Sequence, residues 1–369
     1  MGRLNDLAGA GQAVWLDFVD RKFLAAGGLQ KMVDEDGLTG VTSNPSIFEK
    51  AMGHGDAYDA ELAAYDKNHP GAATIDRYEH LAILDIQAAA DTLRPVYDRL
   101  DAKDGYVSLE VSPYLANDTD ATIAEAKKLW GAVNRPNLMI KIPGTPAGVP
   151  AIAATIAEGI NVNVTLLFSI EAYKSVAEAY VTGLEERVRQ GQPIDRIASV
   201  ASFFVSRIDA KIDDKIDAGI GGDEAKALKG KVAIANAKMA YAWYEEFIAT
   251  ERWQKLAAKG AQVQRLLWAS TGTKNPDYSD TLYLDTLIGK DTVNTVPPKT
   301  MDAFRERGTV GQTLAADVDA ARDVIAAQQR LGLDLDGVTD TLVEEAVASF
   351  SKAFDDLLGA IAAKHPAEA

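Results

Sequence analysis

The chain has 369 residues, with 38 basic and 54 acidic side chains and a formal charge of −16. It has no cysteine, and its four histidines (His54, His69, His80, His365) are scattered. This excludes disulfides, thiolate nucleophiles and iron–sulfur clusters, and it leaves little from which to build a transition-metal site.

Hydrophobic residues make up 47% and charged residues 25%, the balance of a soluble globular protein rather than a disordered one. The acidic charge argues against nucleic acid or a membrane surface as partner, because both need a basic face. An anionic substrate would have to be drawn in by a local cationic pocket. The first residues, Met1 to Ala13, lack a basic start followed by an apolar core, and Gly2 is not followed by a myristoylation pattern. No run approaches ~18 uninterrupted apolar residues. The expected address is the cytoplasm. A homo-oligomer is compatible with this composition.

Short apolar, β-branched runs recur along the chain, separated by longer amphipathic segments. In order they are Ala13–Val19, Leu38–Ser43, Tyr106–Val111, Leu138–Pro143, Val162–Phe168, Ala198–Val205, Arg265–Ser270 and Val293–Val296. Each is brief, is followed by Pro, Gly, Ser or Asn, and gives way to helical periodicity. Strands alternating with helices predict right-handed βαβ units and a parallel sheet, and eight such units predict a (β/α)8 TIM barrel. A doubly wound open sheet is the other candidate, but no Gly-rich turn follows the first strand, where Val19-Asp20-Arg21-Lys22 stands instead.

No Pro/Ser linker divides the chain, so residues 1–369 read as one barrel domain with helical insertions at about 45–104 and 206–264 and a helical tail at about 311–369. Helices are expected from Asp59 onward, over Ile75–Leu100, Lys211–Ala218 and Glu224–Ala258, and over Thr339–Ala363. In the last of these, Leu342, Ala346, Phe350, Phe354 and Leu358 fall along one side. That stripe reads as core rather than interface.

Parallel barrel strands are buried on both faces and should be almost wholly apolar. Several of these are not. Lys141 and Met139 oppose Leu138, Ile140 and Ile142; Ser108 and Glu110 oppose Val107, Leu109 and Val111; Asn163 and Thr165 oppose Val162, Val164 and Leu166. Asp17 sits between Leu16 and Phe18, and Asn44 ends the second run. The apolar faces must cover the helices, so the polar faces point into the barrel, toward strand C-termini where barrel active sites are built.

Lys141 is the sharpest signal, because a desolvated lysine is costly unless paired or neutral, and a neutral amine is a nucleophile for carbonyls. Each residue also has an ordinary reading: a lysine paired with Glu110 or Asp17 for structure, a turn asparagine before Pro45, a polar layer of Asn163 and Thr165. The functional reading gains from convergence of five strands on one rim.

These stretches resemble the transaldolase family. Gly40–Phe48 (GVTSNPSIF) is similar to its N-terminal signature, Leu138–Gly148 (LMIKIPGTPAG) to its Schiff-base strand and Gly159–Ser169 (GINVNVTLLFS) to the strand that follows. Ser108–Pro113 is similar to the strand before, and Ser202–Asp209 (SFFVSRID) to the phosphate-binding segment. The resemblance implies a metal-free, cofactor-free transferase acting on sugar phosphates. Lys141 would form the Schiff base, Asp17 would be the general acid/base, and Glu110 and Thr165 would hold a proton-shuttling water. Asn44 and Asn163 would bind hydroxyls of a dihydroxyacetone fragment. Ser202 and Arg207 would take the phosphate, and Phe204 would line the site.

One departure is visible. Where the family commonly places an arginine after the seventh strand, this chain has Thr271-Gly272-Thr273-Lys274, and Lys274 is assigned as the second phosphate cation. Within the same superfamily, fructose 6-phosphate aldolases carry tyrosine at the place of Phe204 and glutamine at that of Glu110, so the transferase reading is favoured. A non-catalytic sugar-phosphate-binding barrel would be expected to lack the lysine or a carboxylate. A metal-dependent lyase would need clustered histidines.

Overall fold

The computed structural model describes residues 2–364; His365 and the end of the expected tail lie outside the described residues. Eight strands, β1 (Gln12–Leu16), β2 (Gly40–Val41), β3 (Tyr106–Glu110), β4 (Leu138–Pro143), β5 (Val162–Leu167), β6 (Ser199–Phe204), β7 (Arg265–Ala269) and β8 (Thr292–Val296), form a closed barrel in sequence order. Every pair is parallel, including the closing pair β1–β8, with Gln12 opposite Thr292 and Leu16 opposite Val296. Helices separate consecutive strands, so this is a (β/α)8 TIM barrel. All eight predicted strands are present, and their bounds differ by a few residues. The second is the shortest, and its Gly40 lies so close to the Trp15 ring that a Cβ there would meet it at 2.4 Å.

Register places the polar residues side by side. Glu110 is opposite Lys141, and Lys141 is opposite Asn163. Asn163 also bonds Ser108, which lies two strands away, and only interior-facing side chains can do this. The apolar residues alternating with them, such as Leu109, Ile140, Ile142, Val162 and Val164, are buried under the helices.

β5 ends irregularly. Leu166 has φ +60°, and the pairing with β6 slips between Val164 and Leu167. A leucine in this left-handed region is strained, and the bulge ends the alternation directly after Thr165. At the opposite end of the barrel, Asp104 accepts from Trp15 Nε1 at 2.9 Å and Thr39 Oγ1 at 2.9 Å and pairs with Arg265 at 3.1 Å, closing the floor.

The expected helices form at Asp59–Asn68, Thr74–Arg99 and Ser206–Asp217. The single stretch expected over Glu224–Ala258 is instead broken into pieces, chiefly Val232–Ile248 and Glu251–Ala257. Gly230, at φ +69°, turns the chain before the first, and Thr250 caps the second through Trp253 N. The tail helix runs over Leu335–Lys364 and packs on three helices, Pro45–Met52, Thr74–Arg99 and Ser206–Asp217. Its buried stripe is Leu342, Ala346, Phe350, Phe354, Leu357 and Ile361, so Leu357 rather than Leu358 is the more deeply buried at that turn. Phe354 stacks edge-on against Tyr78 and Tyr114, and Lys211 pairs with Glu345 at 2.6 Å. Among the described residues, no helix is long and apolar enough to cross a membrane.

Candidate active site

At the C-terminal ends of the strands lies a cavity of about 400 Å³. This is ample for a small phosphorylated sugar. Asp17, Asn44, Lys141, Thr165, Ser202, Phe204, Arg207 and Lys274 all line it. Glu110 and Asn163 stand in the wall behind Lys141 and Ser202. All ten residues singled out in the sequence are therefore gathered in one place.

Lys141 is only 5% exposed, although it is a lysine. Its Nζ lies 3.2 Å from Glu110 Oε2 and donates to the Ser43 carbonyl at 3.1 Å. Burial pushes the Glu110 carboxyl up; the Lys141 charge opposes that shift, and the Asp17 charge adds to it. Asp17 sits one residue beyond β1, where its N–H still donates to Val296 O of β8. Burial pushes its carboxyl up as well, against the pull of Lys141 and of a 2.8 Å bond from Thr42. Because Thr42 gives its one hydroxyl proton to Asp17, the 2.6 Å contact with Thr295 must be a bond donated by Thr295. Two threonines that the sequence reading passed over thus orient the acid.

Asn163 Nδ2 donates to Ser108 Oγ at 2.9 Å, and its Oδ1 accepts from Ser202 Oγ at 2.7 Å. The Thr165 hydroxyl is buried and has no hydrogen-bond partner among the described residues. Asn44 caps the helix Pro45–Met52 by accepting from Ile47 N at 3.0 Å, which leaves its NH2 for the cavity.

The outer part of the cavity is cationic. Arg207 stands at the start of the helix Ser206–Asp217 with its guanidinium 5.5 Å from the Phe204 ring centre. Lys274 lies on the loop after β7. Burial pushes Lys274 down, and the neighbouring charges of Arg207 and Lys50 push it further. Burial likewise pushes Arg207 down. Glu345, whose charge favours the Arg207 cation, is itself paired with Lys211. A chain of net charge −16 has therefore gathered three cations on one rim.

Lys50 was not anticipated. It lies about one and a half turns into the helix that Asn44 caps, on the face shared with Ser46 and Ile47, and that spacing is the signal that could have found it. Phe350 was read as core, and it is buried in the core; its ring also borders the cavity, 5.9 Å from Lys141 Nζ.

The sequence model of the Transaldolase/Fructose-6-phosphate aldolase family matches residues 14–361. The chain belongs to the transaldolase family. It is 48% identical over 360 residues to a transaldolase of Thermobifida fusca, covering 97% of each chain. It is 47% identical to transaldolase 2 of a Nostoc species over 99% of this chain and 98% of the relative, and 48% identical to transaldolase 2 of Streptomyces coelicolor over 96% and 95%. These transaldolase relatives support an enzyme of the transferase class, and the buried lysine with two acids is a site in which such chemistry can run.

Proposed function

We propose that this transaldolase-family enzyme moves a dihydroxyacetone unit from a ketose phosphate, sedoheptulose 7-phosphate or fructose 6-phosphate, to an aldose phosphate, glyceraldehyde 3-phosphate or erythrose 4-phosphate. The unit is carried as a Schiff base on Lys141, without a metal, as one step of the non-oxidative pentose phosphate pathway. The observation that carries this reading is the lysine itself: buried, facing Glu110 at 3.2 Å, at the inner end of a cavity whose outer end is cationic.

Lys141 must give up a proton before its lone pair can attack the ketone carbon. Glu110, its carboxyl raised by burial, is the adjacent acceptor. Attack gives a carbinolamine. Glu110, through a water held with the unpartnered Thr165 hydroxyl, passes the proton it took from Lys141 to the carbinolamine hydroxyl, which leaves as water and gives the iminium. Asp17, a stronger base than a solvated aspartate because it is buried, takes the proton of the hydroxyl on the next carbon but one. The carbon–carbon bond breaks, the aldehyde forms and leaves, and the electron pair passes into the iminium to give an enamine. The acceptor aldehyde then enters and the steps reverse.

Asn44 and Asn163 hold hydroxyls of the three-carbon unit. Ser202, whose hydroxyl is bonded to Asn163, serves that end rather than the phosphate. Arg207 and Lys274 hold the phosphate, with Lys50 beside them. Borohydride reduction in the presence of fructose 6-phosphate, followed by peptide mass mapping, tests the reading. A three-carbon adduct on Lys141 is expected, and an adduct elsewhere or none overturns it.

A further inference from the structure

The Phe350 ring centre lies 5.9 Å from Lys141 Nζ, and the ring comes from no strand of the barrel. The last helix brings it in. That helix is fixed over the rim by the Lys211–Glu345 pair, by Phe354 wedged between Tyr78 and Tyr114, and by Lys364 donating to Gly55 O. Phe350 is 4% exposed yet lines the cavity, so its ring separates Lys141 from solvent on that side. The other cavity-lining groups on that side, namely Asp17, Thr42, Thr165 and Ser202, are polar, and Asp17, Thr42 and Ser202 are held by hydrogen bonds.

The chemistry gives the ring a purpose. An ammonium has three N–H donors, and a protonated Schiff base has one. As the covalent bond forms, the nitrogen needs fewer hydrogen bonds, and its delocalised charge suits an aromatic face. The enamine that follows has two fates. Its nucleophilic carbon can attack the acceptor's carbonyl carbon, forming the new carbon–carbon bond while the carbonyl electron pair goes to oxygen and takes a proton from Asp17. Alternatively, that carbon takes a proton from water, the electron pair returning from nitrogen to give the iminium. Water then adds, and free dihydroxyacetone leaves with the lysine amine restored.

We propose that Phe350 sets the partition between these fates by keeping water off the enamine. It is thus a specificity-determining residue for transfer over release. The inference rests on the Schiff-base reading above.

The test uses the full chain with fructose 6-phosphate as donor and erythrose 4-phosphate as acceptor, and measures free dihydroxyacetone against transfer product. Phe350→Ala is expected to raise the release-to-transfer ratio about tenfold, with the borohydride adduct still on Lys141. Phe350→Val, which keeps a smaller apolar side chain, is expected to raise it severalfold. A folded variant whose ratio stays within about twofold of the parent overturns the proposal. A measurement on the unaltered protein stands beside the variants: in deuterated water, transfer product is expected to carry little deuterium in its dihydroxyacetone unit. Heavy labelling overturns the proposal even if neither variant folds. Absence of any adduct on the parent protein would instead remove the Schiff-base reading and this inference together, whereas an adduct with an unchanged ratio removes this inference alone.

Discussion

Tyr278 donates its hydroxyl to Asp213 across 2.5 Å, and this bond ties the loop that carries Lys274 to the helix that carries Arg207. Asp213 also accepts from Gly230 N at 3.2 Å, so it stays in place when the tyrosine is altered. The two cations on the cavity rim are thus held at a fixed separation by a contact remote from substrate. Tyr278→Phe is expected to raise KM for phosphorylated donors about three- to tenfold, the value of one hydrogen bond to a charged group. kcat should stay near the parent value and unphosphorylated sugars should be unaffected. Steady-state kinetics on both donor types decides it, and equal effects on both would show that the loop does not serve the phosphate.

The three cations should differ in weight. Arg207 is half-buried beside Phe204, where a bidentate contact is least screened, and Lys50 is exposed. Arg207→Ala is expected to raise KM for phosphorylated sugars roughly 10- to 100-fold, and Lys50→Ala about two- to fivefold. The Lys50 effect should shrink on adding salt, because exposed charges are screened. Kinetics at low and high ionic strength make the comparison.

Lys141→Ala should abolish turnover and adduct formation with only a small loss of stability near neutral pH. Removing the lysine strips Glu110 of its buried positive neighbour, so the folded-state value of Glu110 rises further. A carboxyl raised in the fold supports stability below its unfolded value, and that support is lost as pH rises through the folded value. The variant should therefore match the parent at acid pH and fall behind it as pH increases. Urea denaturation across pH checks this, and a constant difference would contradict it.

Asp209 provides a second titration, away from the cavity lining. It is 1% exposed, bonded to Ala233 N and to the Tyr283 hydroxyl, and pushed up to about 7 by burial. In the unfolded chain it ionises near 3.8. Between those values the folded state holds a proton that the unfolded state has lost, so stability declines as pH rises across that window. Asp209→Asn removes the charge while its Oδ1 still accepts from Ala233 N and its NH2 donates to the Tyr283 oxygen, reversing that bond. The stability of the parent relative to this variant is expected to drop as pH goes from about 4 to about 7, by a few kcal/mol at most. Parallel denaturation curves across that range would refute the assignment.

Much of the site was legible because a strand has period two. Lys141, Glu110 and Asn163 stood out as polar residues on an otherwise apolar alternation, and the barrel carried all three to its interior. Lys50 and Phe350 escaped for different reasons. Lys50 belongs to a helix, where its nearness to the rim depends on the direction in which Asn44 starts that helix. Phe350 belongs to a stripe whose spacing is that of any buried face. Which partner the stripe meets is a tertiary fact, and one of its buried rings also comes near a lysine. The break at Gly230 was hidden as well, because the flanking residues have good helix propensity and only the backbone conformation reveals the turn.

Asp17 follows the first strand and Phe350 sits in the final helix, so the two extremes of the polypeptide finish one chamber. Peeling that helix away would leave eight strands closed and the nucleophile uncovered. Mild heating or a weakened anchor at Phe354 should then spoil product purity, with three-carbon by-product accumulating, before the barrel itself begins to melt.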